Sequence, residues 1–429
     1  MSEYRGYQGT SLAFLKNNRI KVGDTIKVTA DLTYTGILMP RYQYTDDKHI
    51  VIKLKNGYNV GLEIKKITKV ELISGNEVRQ DSSKEIRKNQ NLPKILLLST
   101  GGTIASKIDY RTGAVTPALT AADLNATVPE LTKIANVETE VLFSEYSENL
   151  LPEHWKKIAA KLDSCSKSDY KGIILAHGTD TMQYTASFLS FSLAGYPIPV
   201  ALVGSQRSSD RPSTDAALNL IGATRFLVNC DVKGIFVVMH HNENDDLIAC
   251  HLGTRVRKNH TSRRGAFQTI GSDPAFFIME NKIEKNLTKN YFKNNDYHPR
   301  INFDTKVALV KYYPGYDPKL VDSLIDADYK AIIFEGTGLG HVGRIMYDVI
   351  KRTKESGIFW GMTSQCIDGR VNMSVYETGR DLLNLGIIPL GNMLPETALV
   401  KAMWALGNSG NIEEMKRLML ENIASEFSD

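Results

Sequence analysis

The chain is poor in the residues that would tie it to a metal, a disulfide framework or a membrane. It has four cysteines in 429 residues. Cys165, Cys230, Cys250 and Cys366 are scattered without paired spacing, so they give neither a metal-ligand pattern nor a set of bridges, and a reducing cytoplasm is the expected compartment. His240, His241 and His251 lack a companion acid at metal spacing, which argues against a zinc centre. No apolar run approaches the ~18–20 residues of a membrane span. The opening Met1-Ser2-Glu3-Tyr4-Arg5-Gly6 lacks the basic-then-apolar order of a secretory leader. Charge of one sign is scarce too: 52 Lys and Arg against 48 Asp and Glu leave a net +4. That balance neither demands nor excludes a nucleic-acid partner, because dedicated binders carry a denser basic stripe. There is no phosphate-binding P-loop and no Gly-x-Ser-x-Gly nucleophile elbow.

What is present reads as a soluble globular protein, with 42% hydrophobic and 23% charged residues. The length predicts roughly two to four domains. Residues 1–78 read as an all-β module, a small barrel. Arg19 to Val28 alternates around a Gly23-Asp24 turn, Leu32–Leu38, His49–Leu54 and Tyr58–Ile64 follow, and Asn56-Gly57 is a hairpin signal. The module carries no acid/base constellation and reads as an appendage, with a partner- or RNA-docking role open. Residues 79–93 are polar, end in Pro93 and have linker composition. From Lys94 the pattern becomes α/β with mostly parallel sheets, in two units, 94–300 and 301–429. Continuous apolar runs at Ile95–Leu98, Gly172–Leu175, Val200–Val203 and Gly234–Met239 fit a sheet covered on both faces. Helical patterns lie at Pro152–Leu162, Thr181–Leu193 and Ser213–Val228. In the second unit, strands are expected at Val307–Val310, Ala331–Phe334 and Gly357–Thr363, and helices at Pro395–Leu406 and Ile412–Asn422. Glu335-Gly336-Thr337-Gly338-Leu339-Gly340 has the wrong spacing for a dinucleotide loop.

Two of the apolar runs end in threonine-bearing glycine turns: Leu96-Leu97-Leu98-Ser99-Thr100-Gly101-Gly102-Thr103-Ile104 and Ile173-Ile174-Leu175-Ala176-His177-Gly178-Thr179-Asp180-Thr181. Ligands of open parallel sheets sit beyond the carboxyl ends of the strands. A threonine hydroxyl is a weak nucleophile and needs a base. Asp180 adjoins Thr179, and Lys258, in Thr254-Arg255-Val256-Arg257-Lys258, would return to the same face. A lysine brought out of water there can carry a proton, because desolvation favours the neutral amine. Thr103 or Thr179 would attack a carbonyl while backbone N–H groups at Gly101-Gly102 and Gly178 stabilise the oxyanion. The chemistry is acyl transfer on an amide or ester. Plainer readings stand beside this one. A strand-end threonine is often a helix cap, a lone lysine is usually solvated, and Arg255, Arg263 and Arg264 would equally make a phosphate-binding face. His177 reads as a packing residue.

Thr100-Gly101-Gly102-Thr103-Ile104-Ala105-Ser106 and His177-Gly178-Thr179-Asp180-Thr181-Met182 resemble the two signature segments of the bacterial-type L-asparaginases, and the likeness runs from Lys94 to the end of the chain. The resemblance implies an asparaginase-like two-domain body. It implies Thr103 as nucleophile and Thr179, Asp180 and Lys258 as a catalytic group. Ser147 and Glu148 would bind the substrate's α-amino and α-carboxylate groups, with Gly102 and Gly178 lining the substrate. Ala114 stands where that family places an activating tyrosine, with Tyr110 four residues earlier, so a partner or second substrate would close this loop.

The β-module ahead of that body, with Lys21-Val22-Gly23-Asp24 and Tyr34-Thr35-Gly36-Ile37-Leu38-Met39-Pro40, resembles the D-subunit family of the archaeal glutamyl-tRNA(Gln) amidotransferases over the whole chain. That resemblance implies a glutaminase that releases ammonia from glutamine or asparagine. It implies an E subunit that takes up the ammonia and converts glutamyl-tRNA(Gln) to glutaminyl-tRNA(Gln), with ATP and magnesium at that partner and no cofactor or metal in this chain. It also implies a homodimer within a heterotetramer, with no membrane contact. The alternative is a stand-alone L-asparaginase with an extra N-terminal domain. A third reading is a non-catalytic adaptor on an inherited scaffold.

Overall fold

The computed structural model describes residues 4, 6–41, 46–55, 58–75, 89–102, 106–108, 115–117, 124, 128–207, 214–287, 296–355 and 357–427. The chain opens with a helix, α1 (Gly9–Asn17), that the all-β expectation missed. The segment begins on a glycine, and within it only Ser11 and Leu15 are buried, so it lacks a broad apolar stripe. Five strands follow: β1 (Thr25–Thr29), β2 (Thr33–Leu38), β3 (His49–Leu54), β4 (Asn59–Glu63) and β5 (Lys69–Ser74). They make one antiparallel sheet in the order β4-β3-β2-β1-β5. The predicted strand from Arg19 is shorter than its alternation suggested. The Asp24 carboxylate accepts the Lys21 amide at 2.7 Å, which turns the chain before β1. Inward-facing Ile26, Val28, Leu38, Ile50, Ile52 and Leu62 pack with Leu15 as a small separate core. β3 and β4 pair around the Asn56-Gly57 position, which itself lies outside the described residues. Most of the 79–93 linker lies outside them as well. Its end is docked, because the Asn136 amide donates to the Asn89 and Leu92 carbonyls at 2.7 and 2.9 Å.

The second unit is an eight-stranded mixed sheet. In chain order its elements are β6 (Lys94–Ser99), a small hairpin of β7 (Ser106–Ile108) and β8 (Val115–Pro117), β9 (Asn136–Val141), β10 (Gly172–Ala176), β11 (Val200–Val203), β12 (Ile235–His240) and β13 (Ile248–Leu252). A second hairpin of β14 (Val256–Lys258) and β15 (Phe267–Thr269) follows, then β16 (Phe276–Ile278) and β17 (Ile283–Lys285). The sheet order is β17-β16-β13-β12-β11-β10-β6-β9. β9, β6, β10, β11 and β12 run parallel, and β13, β16 and β17 extend the edge antiparallel. Successive side chains of the parallel strands enter opposite cores. Leu96, Leu98, Ile173, Leu175, Val200 and Leu202 face one layer, and Ile95, Leu97, Ile174, Ala176, Ala201 and Val203 face the other. Both faces are therefore dry, which is why these strands read as unbroken apolar runs. Helices α2 (Pro152–Ser164) and α3 (Met182–Ser192) cover the first face, and α4 (Ala216–Asn229) covers the second.

The third unit is a four-stranded parallel sheet of β18 (Val307–Lys311), β19 (Ala331–Gly336), β20 (Phe359–Ser364) and β21 (Ile388–Pro389) in sequential order. It carries α5 (Lys319–Asp326), α6 (Tyr347–Glu355) and α7 (Glu377–Asn384), and ends in α8 (Pro395–Gly407) and α9 (Ile412–Leu420). The glycine-rich run after β19 makes a tight bridged turn between Thr337 and His341. Residues of α8 and α9, including Ala398, Trp404 and Met415, share the core of the first face of the eight-stranded sheet. The two α/β units are thus fused through one apolar layer. Among the described residues, no helix is long and apolar enough to cross a membrane.

Candidate active site

The two threonine motifs meet at their backbones. At the end of β6, the Thr100 amide and hydroxyl both donate to the Ala176 carbonyl at the end of β10, at 3.0 and 2.9 Å. Beyond it the chain turns through Gly101 and Gly102 with φ of 114° and 81°, the left-handed region that favours glycine. A Cβ on Gly102 would stand 2.7 Å from the Gly178 nitrogen. Gly178 is equally confined, since a Cβ there would stand 2.7 Å from the Ser147 Cβ. Three loops therefore converge: the turn after β6, the turn after β10, and the short turn Ser147–Asn149. The Thr181 hydroxyl fixes the third of these by donating to the Ser147 carbonyl at 2.7 Å.

His177 is fully buried behind the second turn. Its Nδ1–H donates to the Gly178 carbonyl at 2.6 Å, which leaves Nε2 to accept from the Thr185 hydroxyl at 2.9 Å. Burial pushes its pKa down to about 4, so the ring is neutral at pH 7 and holds the turn. This agrees with its reading as a packing residue.

Lys258 ends β14 and reaches the same place. Its Nζ donates to Thr179 Oγ1 at 2.8 Å and to Asp180 Oδ1 at 2.6 Å. Because the ammonium donates, the Thr179 hydroxyl keeps its own proton to give elsewhere. The amine is well covered, with 10% of the Lys258 side chain exposed, while Asp180 is 65% exposed. The backbone of Lys258 is anchored by its amide, which donates to Gln183 Oε1 on α3 at 2.8 Å.

Of the expected site residues, Gly102, Gly178, Ser147, Thr179, Asp180 and Lys258 form one contiguous surface. Glu148, in the turn with buried Ser147, is exposed. Thr103, Tyr110 and Ala114 lie outside the described residues. The phosphate-face reading of the arginines is overturned. Arg255 is buried and donates from Nε to the Ser425 carbonyl at 2.7 Å. Arg264 pairs with Asp245, and Arg263 stands 3.8 Å from Glu243.

Sequence reasoning missed the third strand end. Gly204, after β11, packs so closely that a Cβ on it would stand 2.7 Å from the Thr179 methyl. A buried network holds that loop. Asp215 accepts the Gln206 and Arg207 amides at 3.0 Å, and Asn219 bridges Asp215 and the Gly204 carbonyl at 3.0 Å each. His240 joins through Nδ1 to Asn219 Oδ1 at 2.6 Å. The strand-end rule that located the first two turns applies equally to Val203-Gly204, and was not extended to it.

The chain matches three family models: GatD N-terminal domain over residues 20–73, Asparaginase, N-terminal over 94–291, and Glutaminase/Asparaginase C-terminal domain over 306–419. Proteins named as the D subunit of glutamyl-tRNA(Gln) amidotransferase, from Pyrococcus abyssi and Metallosphaera sedula, are 46% and 45% identical. The alignments cover 97% and 99% of this chain and 97% and 96% of theirs. Among solved structures, the thermostable L-asparaginase from Thermococcus kodakarensis superposes with a TM-score of 0.72 at 32% identity. It covers 78% of this chain and 99% of its own. The L-asparaginase I of Vibrio cholerae, at 24% identity and a TM-score of 0.68, shares the fold.

Proposed function

The chain belongs to the D-subunit family of the glutamyl-tRNA(Gln) amidotransferases, built on the asparaginase fold, and from that premise we propose that it hydrolyses an amide through an acyl-threonine at Thr103 and hands on the ammonia. It is the glutaminase subunit of a tRNA-dependent amidotransferase, a carbon–nitrogen ligase. The observation that carries this is the Lys258 amine seated between Thr179 and Asp180 where the Gly102 turn, one residue before Thr103, packs on Gly178.

The step starts from Lys258 as the neutral amine, which accepts from the Thr179 hydroxyl: Thr103 Oγ attacks the amide carbon, its proton passes to Thr179 as Thr179 gives its own to Lys258, and Asp180 balances the charge the lysine then carries. Backbone N–H groups of the glycine turns receive the oxyanion. The C–N bond breaks, the relayed proton goes to the departing ammonia, and water then cleaves the threonyl ester. Ser147 and Glu148 hold the α-carboxylate and α-amino ends of glutamine or asparagine, with Gly102 and Gly178 against the carboxamide.

The ammonia passes to an E subunit that uses ATP and magnesium to convert glutamyl-tRNA(Gln) to glutaminyl-tRNA(Gln) in the cytoplasm. This chain supplies no cofactor or metal of its own, and works as a homodimer within a heterotetramer. The units run 1–78, 79–93, 94–300 and 301–429, and the matched segments 20–73, 94–291 and 306–419 fall inside them. We read the first unit as a small barrel, because β5 crosses back to β1 beyond the 3-10 turn Ile64–Lys66. The GatD N-terminal match favours this function over a stand-alone asparaginase. Ammonia release from glutamine, measured with and without the E subunit and Glu-tRNA(Gln), tests it. The rate should rise with both added. A high asparaginase rate indifferent to either would support the stand-alone enzyme.

A further inference from the structure

The strand that presents Lys258 is three residues long, too short to fix an amine by its own ladder. Its root is clasped by other elements. The Ser187 hydroxyl of α3 donates to the Gly253 carbonyl at 3.2 Å, and the Thr397 hydroxyl of α8 donates to the Thr254 carbonyl at 2.9 Å. The next two contacts reach the carboxyl-terminal tail that follows α9. Thr254 Oγ1 donates to the Ala424 carbonyl at 2.8 Å, and Arg255 Nε donates to the Ser425 carbonyl at 2.7 Å. These bonds join residues 170 apart in sequence, four and three positions before Lys258.

The tail is itself locked. The side chains of Lys401 on α8 and Glu426 in the tail are both 0% exposed and form an ion pair. Lys401 Nζ also donates to the Met419 and Glu421 carbonyls at 3.0 and 2.6 Å. Glu426 accepts the Ile423 and Ala424 amides at 3.1 and 2.7 Å, and the Phe191 and Phe427 rings stand 5.6 and 5.0 Å from the ammonium. Ser425, whose carbonyl receives Arg255, has φ of 61°, a left-handed conformation uncommon outside glycine. A buried ion pair is a weak source of net stability compared with apolar side chains of the same volume, and its best-attested use is to specify one arrangement. Strained backbone likewise persists only where its surroundings over-determine it.

We infer that the carboxyl-terminal tail, locked by the Lys401–Glu426 pair, is a positioning device for Lys258: through the Ala424 and Ser425 carbonyls it sets where the amine stands against Thr179 and Asp180. This rests on the proposed role of Lys258. Lys401, Glu426, Thr254 and Arg255 are positioning residues, with no contact to the substrate. They act on the catalytic rate rather than on substrate affinity, since Ser147 and Glu148 stand on a different loop.

The test compares three variants of the full-length chain, Lys401→Met/Glu426→Gln, Thr254→Val and Lys258→Ala, by kcat and KM for glutamine hydrolysis, with and without the E subunit and Glu-tRNA(Gln). The double variant replaces the pair by neutral side chains of similar volume, its melting transition reports whether it folds, and Thr254→Val removes one tail contact without touching the pair. A displacement near 1 Å is enough to cost about 10²-fold in rate. We expect kcat to fall about 10- to 100-fold in the double variant and by a smaller factor in Thr254→Val, with KM within about twofold of the parent and the melting transition still well above the assay temperature. If both retain the parent kcat while Lys258→Ala is inactive, the tail does not position the lysine and the inference is overturned. If Lys258→Ala itself retains the parent rate, it is the proposed role of Lys258 that fails.

Discussion

Gly102 and Gly178 touch at their backbones, one at the first turn of the first motif and one at the second. A methyl group on Gly102 would stand 2.7 Å from the Gly178 nitrogen, well inside van der Waals contact. This joins segments about 75 residues apart in sequence into one surface, and it makes the glycine spacing a steric requirement. Gly102→Ala is expected to cost both stability and rate, since Gly102 also sits at φ 81°, where a Cβ is unfavourable by about 1 kcal/mol or more before any clash is counted. Thermal unfolding and glutamine hydrolysis of that variant check it. A variant with the parent melting point and parent rate would show that the turns do not need to touch.

Lys258→Ala and Thr179→Val are each expected to lower kcat about 10²–10⁴-fold, the usual weight of a general acid–base step. Neither residue is on the Ser147–Asn149 turn, so KM should change far less. Steady-state kinetics on both variants, with circular dichroism to confirm folding, gives the answer. A loss confined to KM would assign these groups to binding instead of proton transfer.

Thr181 acts one step further out. Its hydroxyl holds the Ser147 carbonyl at 2.7 Å, and Ser147 is placed by us on the substrate's charged end. Thr181→Val removes that bond while keeping the shape. We expect KM to rise about tenfold, the weight of roughly 1.4 kcal/mol, while kcat falls less than threefold. An unchanged KM would detach Ser147 from substrate binding.

Two buried histidines predict the acid limb of stability. Burial pushes His177 down to about 4 and His251 down to about 3. Unfolded, each takes up its proton near 6.5. Between those values the unfolded chain binds more protons than the folded one, so stability is full above about pH 6.5 and falls as the pH is lowered toward 4. Each ring contributes on the order of 3 kcal/mol across that window. Melting temperatures measured from pH 7.5 to 4.5 should fall steeply below 6.5, and less steeply in His251→Gln. A flat profile would mean that neither ring stays neutral in the fold.

The α/β body was legible because its strands are buried on both faces. Leu96 and Leu98 enter one core while Ile95 and Leu97 enter the other, so the run is apolar throughout and ends visibly at its glycine turn. The edges were not legible for the opposite reason. β9 is Asn-Val-Glu-Thr-Glu-Val, with no fully buried residue, and three-residue strands such as β16 carry too short a pattern to read. The helix at Gly9–Asn17 was hidden by its narrow buried stripe. Within the site, Thr179 and Asp180, singled out at a strand end, and Lys258, singled out by the family resemblance, stand in contact with one another. Gly204 was readable as a strand-end glycine and was passed over, whereas Asp215, Asn219 and His240 were missed because they form the network that holds its loop, and no residue type announces that role. Likewise, nothing in the sequence around Glu426 marks it as the partner of Lys401, since the pairing exists only after α8 and the tail have packed.

The most direct measurement is where the acyl group lands. The full-length chain, assembled with the E subunit, is mixed with glutamine, quenched in acid during turnover, digested and mapped by mass spectrometry. A glutamyl ester on Thr103, absent from Thr103→Ala, with ammonia release abolished in that variant, is the expected result. An ester on Thr179 or on any other residue, or ammonia release that survives Thr103→Ala, would contradict it.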